Sequence, residues 1–138
     1  MREFAIAWGI GALSGSRTML GPAVVAQSVL PPSVRTVVSL LAAGELVADK
    51  SPAIPARTDA LPLAGRLVLG AAAAAGYAKR NRLQAAAIGA AGALASTYAC
   101  FHLRRFVTNR LRIPNAVAGI VEDAAALGAG AMLMRARR

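Results

Sequence analysis

The chain is divided into long apolar segments whose ends carry basic residues, and this pattern restricts the folds open to it. The segments cover residues 4–30, 34–48, 63–78, 83–101 and 114–134. Membrane helices place arginine and lysine at their ends, where the charges reach lipid head groups. The sequence therefore predicts an all-α, polytopic helical membrane protein with about four to five membrane helices. Residues 1–138 are expected to form one integral membrane domain.

The composition supports the same class of protein. Hydrophobic residues make up 57% of the chain but aromatic residues only 4%. The excess is alanine and glycine, the small residues that let membrane helices pack closely. The net charge of +10 would also suit nucleic-acid binding, but such proteins carry the charge along one face or a tail, often with stacking aromatics. We therefore expect a lipid bilayer as partner and no nucleic acid.

The first segment is expected to be a broken helix. Residues 5–13 and 23–30 can each form a half-helix, and residues 14–22 between them contain Gly21-Pro22. Proline leaves a backbone carbonyl without its donor and kinks or ends a helix. Non-helical backbone at membrane depth persists only where it is buried in protein or lines a cavity, so Arg17 and Thr18 are candidate site residues. The alternative is a loop between two short interfacial helices, with Arg17 facing water.

Carboxylates interrupt two of the other segments. Glu45 and Asp49 are four residues apart and share one face of a helix, and Lys50 follows them. Glu122 and Asp123 lie in the middle of the last segment. A charge in an apolar helix costs about 2.5 kcal/mol or more unless it finds a partner or water. Arg17 is an available partner for these acidic groups.

These considerations give one set of candidate ion- or substrate-binding residues: Arg17, Thr18, Glu45, Asp49, Lys50, Asn115, Glu122 and Asp123. In one interpretation they line the path of an unknown ion or small solute, and the protein is a transporter or channel. In the other they form a salt-bridge knot that fixes helix register in a structural or accessory membrane subunit.

An enzyme is not expected, and no catalytic residue is nominated. Cys100 and His102 are too few for a metal site, which needs three or four ligands. No metal and no cofactor are therefore expected.

A repeated pattern and the charge distribution bear on topology. A break followed by an acid-bearing helix occurs in each half, which suggests a weak internal inverted repeat of the kind found in transporters. Basic clusters follow the third, fourth and fifth segments, and they cannot share one side if every segment spans. One segment is then re-entrant, the fourth helix is out of register, or the chain inserts both ways.

Small-residue faces on the last three helices predict a homo-oligomer, most simply a dimer.

Three motifs resemble those of a known family. They are Gly-x-Arg-x-x-x-x-Pro at residues 15–22, Glu-x-x-x-Asp-Lys-x-Pro at residues 45–52, and the segment Pro-Asn-Ala-Val-Ala-Gly-Ile-Val-Glu-Asp at residues 114–123. Together they resemble the small bacterial membrane proteins grouped as domain of unknown function 4126. In the third motif Pro114 and Asn115 stand in swapped order and Gly119 replaces the family's serine. The resemblance implies a multi-pass protein of the bacterial inner (plasma) membrane and implies no activity.

Overall fold

The computed structural model describes residues 2–48 and 59–136, and everything described is helix or short connection, with no strand in those two ranges. This confirms the predicted all-α class. The helices are α1 (Arg2–Ser16), α2 (Leu20–Val29), α3 (Pro32–Ala48), α4 (Ala60–Tyr77), α5 (Arg82–Arg110) and α6 (Asn115–Ala136).

Three of these helices, rather than the four to five predicted, are long and apolar enough to cross a membrane. They are α4, α5 and residues Ala116–Arg135 of α6. The difference arises in the first part of the chain. There α1, α2 and α3 have 15, 10 and 17 residues, whereas a helix needs about 20 to span the hydrocarbon core.

The break in the first segment is a reversal of the chain. Gly21, in the first turn of α2, packs against Ile10 and Ser14 of α1, and Val25 belongs to the same buried cluster as Ile6, Ala7 and Ile10. Had α2 continued along the axis of α1, Gly21 would lie about 16 Å from Ile10. Thus α1 and α2 form a helical hairpin, and its tip is residues 17–19. Pro22 lies in the first turn of α2, where its missing N–H has no consequence.

The hairpin is continued by α3, which runs back along α2. Gln27 of α2 donates a hydrogen bond to Ser39 of α3 at 3.1 Å, and the tip contacts Glu45 near the end of α3. This pairing of residues in opposite order shows that α2 and α3 are antiparallel. The connection contains Pro31-Pro32, and a proline at the first helical position is compatible with the start of α3.

The packed centre consists of α1, α4 and α5, held together by close backbone approach. A side chain at Gly11 of α1 would lie less than 3.0 Å from the backbone of Gly89 in α5, and a side chain at Gly89 would meet Gly70 of α4 at 2.6 Å. Thr97 of α5 donates to the carbonyl of Gly15 at 3.1 Å. Such small-residue contacts drive helix association in membranes.

Small side chains lie in the interior and large apolar ones on the outside, which is the reverse of their arrangement in a water-soluble helical bundle. Alanines and glycines fill much of the interior, whereas large apolar residues project outward from α3, α4 and α6. Leu40 is 66% exposed, Val68 is 65% exposed and Ile120 is 57% exposed. An apolar exterior of this extent indicates contact with lipid or another apolar surface.

Several boundaries differ from the sequence expectation. The half-helices expected at residues 5–13 and 23–30 are α1 (Arg2–Ser16) and α2 (Leu20–Val29), and two further differences have a local cause. The fourth predicted helix, α5, continues to Arg110 instead of ending at residue 101, because residues 102–110 contain no glycine or proline. The third, α4, begins at Ala60 and takes Pro62 into its first turn, where proline is favoured. The interruption before α6 separates two helices and does not break one, so the inverted repeat stays a prediction.

Candidate functional site

Arg17 lies at the hairpin tip and is buried. Its side chain is 4% exposed, and its Nη2 contacts Oδ1 of Asp123 on α6. The alternative in which Arg17 faces water between two interfacial helices is therefore wrong. Helix α1 ends at Ser16, so Arg17 is the first residue after its last turn. The side chain of Arg17 extends from there to Asp123 of α6. The structure thus brings together two of the predicted site residues from opposite ends of the chain.

Glu45 reaches the same tip from α3. One carboxylate oxygen accepts the backbone N–H of Thr18 and the other accepts that of Met19, both at 2.7 Å. These donors stand at the start of α2, where N–H groups have no partner within the helix and the helix dipole favours negative charge. The carboxylate therefore occupies an anion-binding position formed by the backbone.

The lengths of the helices explain why these groups meet. Arg17 lies 15 residues beyond the start of α1, or about 22 Å along its axis. Glu45 lies 13 residues beyond Pro32, or about 20 Å along α3. Since α1 and α3 start at the same end of the molecule, their charged residues reach the same depth. Asp123 arrives there from α6, which packs on α1 in the opposite direction, with Leu133 beside Gly9 and Gly130 beside Leu13.

Glu122 turns away from the tip. It pairs with Arg104 of α5, with Oε2 lying 3.5 Å from Nη1. Successive helical residues point about 100° apart, so the adjacent carboxylates of Glu122 and Asp123 contact different parts of the protein. Gly119 makes room for this pair, because a Cβ there would lie 3.1 Å from Nη2 of Arg104.

The structure shows fewer contacts for the remaining predicted site residues. Thr18 contributes its backbone N–H to the Glu45 carboxylate. Asn115 is the first residue of α6, about two turns before Asp123. Asp49 and Lys50 lie outside the described residues.

Sequence reasoning overlooked one buried charge, Arg66 of α4. A long basic side chain near a helix start can extend to the surface, yet Arg66 is 4% exposed. It lies one turn before Gly70, which contacts Ser14 near the tip. A signal was present, because Arg66, Gly70 and Ala73 recur at helical spacing and form the buried face of α4. The tip region thus contains two buried arginines.

The arrangement combines cationic side chains, backbone donors and carboxylates in a mainly apolar protein. Chemically it can hold an anion on the N–H groups at the tip, or a cation or proton on the carboxylates. Within residues 2–48 and 59–136, no group of three or more His, Cys, Asp or Glu residues is arranged to hold a metal ion.

Comparison of the chain with protein-family models, with curated proteins and with solved structures gives no significant match. The resemblance to domain of unknown function 4126 therefore rests on the three sequence motifs alone.

Proposed function

We propose that the protein is a multi-pass membrane transporter or channel for a small ion or solute, with its site at the tip of the α1–α2 hairpin. The observation that carries the proposal is the carboxylate of Glu45 on the N–H groups of Thr18 and Met19. Helix termini at interrupted helices are the ion- and substrate-binding elements of many transporters. The location of Arg17 and Asp123 at the same tip adds charges of both signs.

A re-entrant hairpin reconciles the helix lengths with a bilayer. The 10 residues of α2 extend about 15 Å, which is half the hydrocarbon core. In this proposal α1 and α2 enter and leave on one side, and α4, α5 and α6 cross. The short α3 ends near the depth of the tip. Non-helical backbone at residues 17–19 then lies inside the membrane, buried among protein groups that satisfy it.

The proposal extends to location, family and assembly. The bacterial inner membrane follows from the resemblance to domain of unknown function 4126. A dimer remains the simplest assembly, although much of the small-residue surface on α4 and α5 is used within the chain, where Gly70, Gly89 and Gly92 face neighbouring helices. Gly65, Gly76 and Gly128 have open space beside them and are available for contact with a second copy.

A second candidate is a structural or accessory membrane subunit. The observation that favours it is that the charges neutralise one another: Arg17 contacts Asp123 and Arg104 pairs with Glu122. The Arg17–Asp123 pair is largely buried, and a buried ion pair can fix the register of packed helices. In that case the tip carries no solute. The Arg17–Asp123 pair joins the hairpin to α6, and the Arg104–Glu122 pair, away from the tip, joins α5 to α6.

Reconstitution of the full chain in liposomes separates the two candidates. Internal dyes would report proton, potassium and chloride movement for the unmodified protein and for Glu45→Gln. The matched control is Glu3→Gln, since Glu3 also accepts a backbone N–H, from Lys79, at the far end of α1. We expect flux of one of these ions that is lost only in Glu45→Gln, with the melting temperature retained. No flux for any of the three, together with a lower melting temperature in Glu45→Gln, would favour the structural subunit.

A further inference from the structure

An apolar groove of about 870 Å³ runs between α1, α5 and α6, beside the hairpin. Its volume is in the range of small-molecule sites, about 300–1,000 Å³. Apolar side chains form most of its walls, including Leu13 of α1, Leu103 and Val107 of α5, and Val121 of α6. The Arg104–Glu122 pair lies on its wall.

The groove exists because of how the chain is built around it. At Ser16 α1 ends and the chain turns back, so beyond the tip no continuation of α1 separates α5 from α6. Alanines at 118, 125, 126 and 129 line the α6 side, and they are too short to close the space. Arg17, Glu45 and Asp123 are not among the residues that line the groove, whereas Ser16 and Glu122 beside them are. The groove therefore adjoins the proposed transport site at the tip without containing its three charges.

The dimensions of the groove suit a lipid chain. Along α6 its lining extends from Val117 to Leu133, a distance of about 24 Å at the helical rise per residue. One leaflet of the hydrocarbon core is about 15 Å thick. An acyl chain lying along α6 would therefore fit within the groove.

Basic residues lie at one end of the groove. Val107 and Ile113 line that end, and the exposed residues Arg110 and Arg112 lie at the same α5–α6 connection. Basic clusters at the ends of membrane helices attract anionic lipids, and basic pockets between helices bind their head groups. The acidic residue nearest along the chain, Glu122, is paired with Arg104.

We infer that the groove binds an anionic glycerophospholipid, with one acyl chain along α6 and the phosphate at the arginines of the α5–α6 connection. The inference requires that the protein lie in a membrane, and it is independent of whether the hairpin tip carries a solute.

The test uses the full chain purified in a neutral detergent. Native mass spectrometry and thermal unfolding would be measured with added phosphatidylglycerol and, separately, with phosphatidylcholine. We expect a one-to-one adduct with phosphatidylglycerol, an apparent affinity at least tenfold tighter than for phosphatidylcholine, and a higher melting temperature. Equal binding of the two lipids would overturn the assignment of the head group.

Matched variants separate the groove from the general lipid surface. Ala129→Phe fills the groove, whereas Ala131→Phe adds the same ring to an exposed position of α6 outside it. We expect at least tenfold weaker binding of phosphatidylglycerol in A129F only. Unchanged binding of phosphatidylglycerol in A129F would overturn the proposal. The proposal would also be overturned if A129F released a second copy of the chain and not a lipid.

Two arginines at the opposite end of α5 provide a control for the arginines of the α5–α6 connection. Joint replacement of Arg110 and Arg112 by glutamine should remove the preference for phosphatidylglycerol while weak binding of phosphatidylcholine remains. Joint replacement of Arg80 and Arg82, also exposed, should leave the preference intact. If both pairs reduce it equally, the lipid responds to total charge and the proposed head-group site is wrong.

Discussion

Arg17 and Asp123 form an ion pair across 106 positions of the chain, joining the tip of the α1–α2 hairpin to the middle of α6. Both side chains are largely removed from solvent, at 4% and 15% exposure. Neighbouring Glu122 makes the corresponding connection to α5 through Arg104. The two consecutive carboxylates therefore attach α6 to two different helices.

The Arg17–Asp123 pair should be the more important of these two attachments. Asp123→Asn removes the carboxylate charge that the buried guanidinium of Arg17 contacts, and breaking such a pair costs about 3 kcal/mol or more. The double change Arg17→Met with Asp123→Leu should recover part of that loss, because apolar groups often replace a buried pair at little cost. Unfolding of the purified protein measures both effects. Equal stabilities of the single and double variants would contradict the assignment.

Glu122→Gln provides the comparison within α6. Its partner, Arg104, is 27% exposed, and the two charged atoms are 3.5 Å apart. Pairs with this degree of exposure contribute about 1 kcal/mol or less. We expect the loss of stability to be clearly smaller than for Asp123→Asn under the same conditions.

Gly11→Ala should loosen the packing of α1 against α5. The added methyl group would meet the backbone of Gly89, which cannot move aside as a flexible side chain can. Overpacking of this kind costs about 1–3 kcal/mol. The melting temperature should therefore fall by about 5 °C or more. Gly76→Ala on α4 is the control, since no atom lies within 4 Å of its added methyl group, and it should leave the melting temperature unchanged or slightly raised.

Thr97→Val tests the hydrogen bond between α5 and α1. The hydroxyl of Thr97 donates to Gly15 in α1 and to Ala93 in its own helix, at 3.1 Å and 2.8 Å. Valine preserves the shape and removes the donor. Interhelical hydrogen bonds in membranes contribute about 0.6 kcal/mol on average and up to about 1.7, so a loss in this range is expected. Thr108→Val removes only bonds within α5 and should cost less.

Cell fractionation tests the membrane location. The outward-facing apolar residues and the three span-length helices predict that the protein stays in the membrane pellet after an alkaline carbonate wash. A peripheral basic protein would be released by that treatment. Release of this chain, together with DNA binding that weakens steeply with salt, would favour the nucleic-acid alternative.

The meeting of Arg17, Glu45 and Asp123 is largely foreseeable from sequence, because each charge interrupts an apolar segment and needs a partner. Which acidic residue pairs with Arg17 is not, since it depends on the rotation of α6 about its axis. The sequence also does not show that Glu45 binds backbone N–H groups, because these become available only through the local geometry at residues 17–19.

The groove and the hairpin also depend on tertiary packing, so the sequence does not predict them. Gly21-Pro22 signals an interruption, but a kink and a complete reversal have the same residue pattern. The decisive interaction is the packing of Gly21 on Ile10, which is tertiary. The extension of α5 to Arg110 was obscured by its arginines, since basic residues often mark the end of a membrane helix.

The contact between α1 and α5 has a consequence for biosynthesis. Gly15 and its partner Thr97 are 82 residues apart, and at about 5–20 residues per second the ribosome needs roughly 4–16 s to make the intervening chain. During that interval the glycine face of α1 has no α5 to pack against. The three-helix centre of α1, α4 and α5 can therefore assemble only after α5 has been made, and until then α1 can pack only on the helices that precede α5.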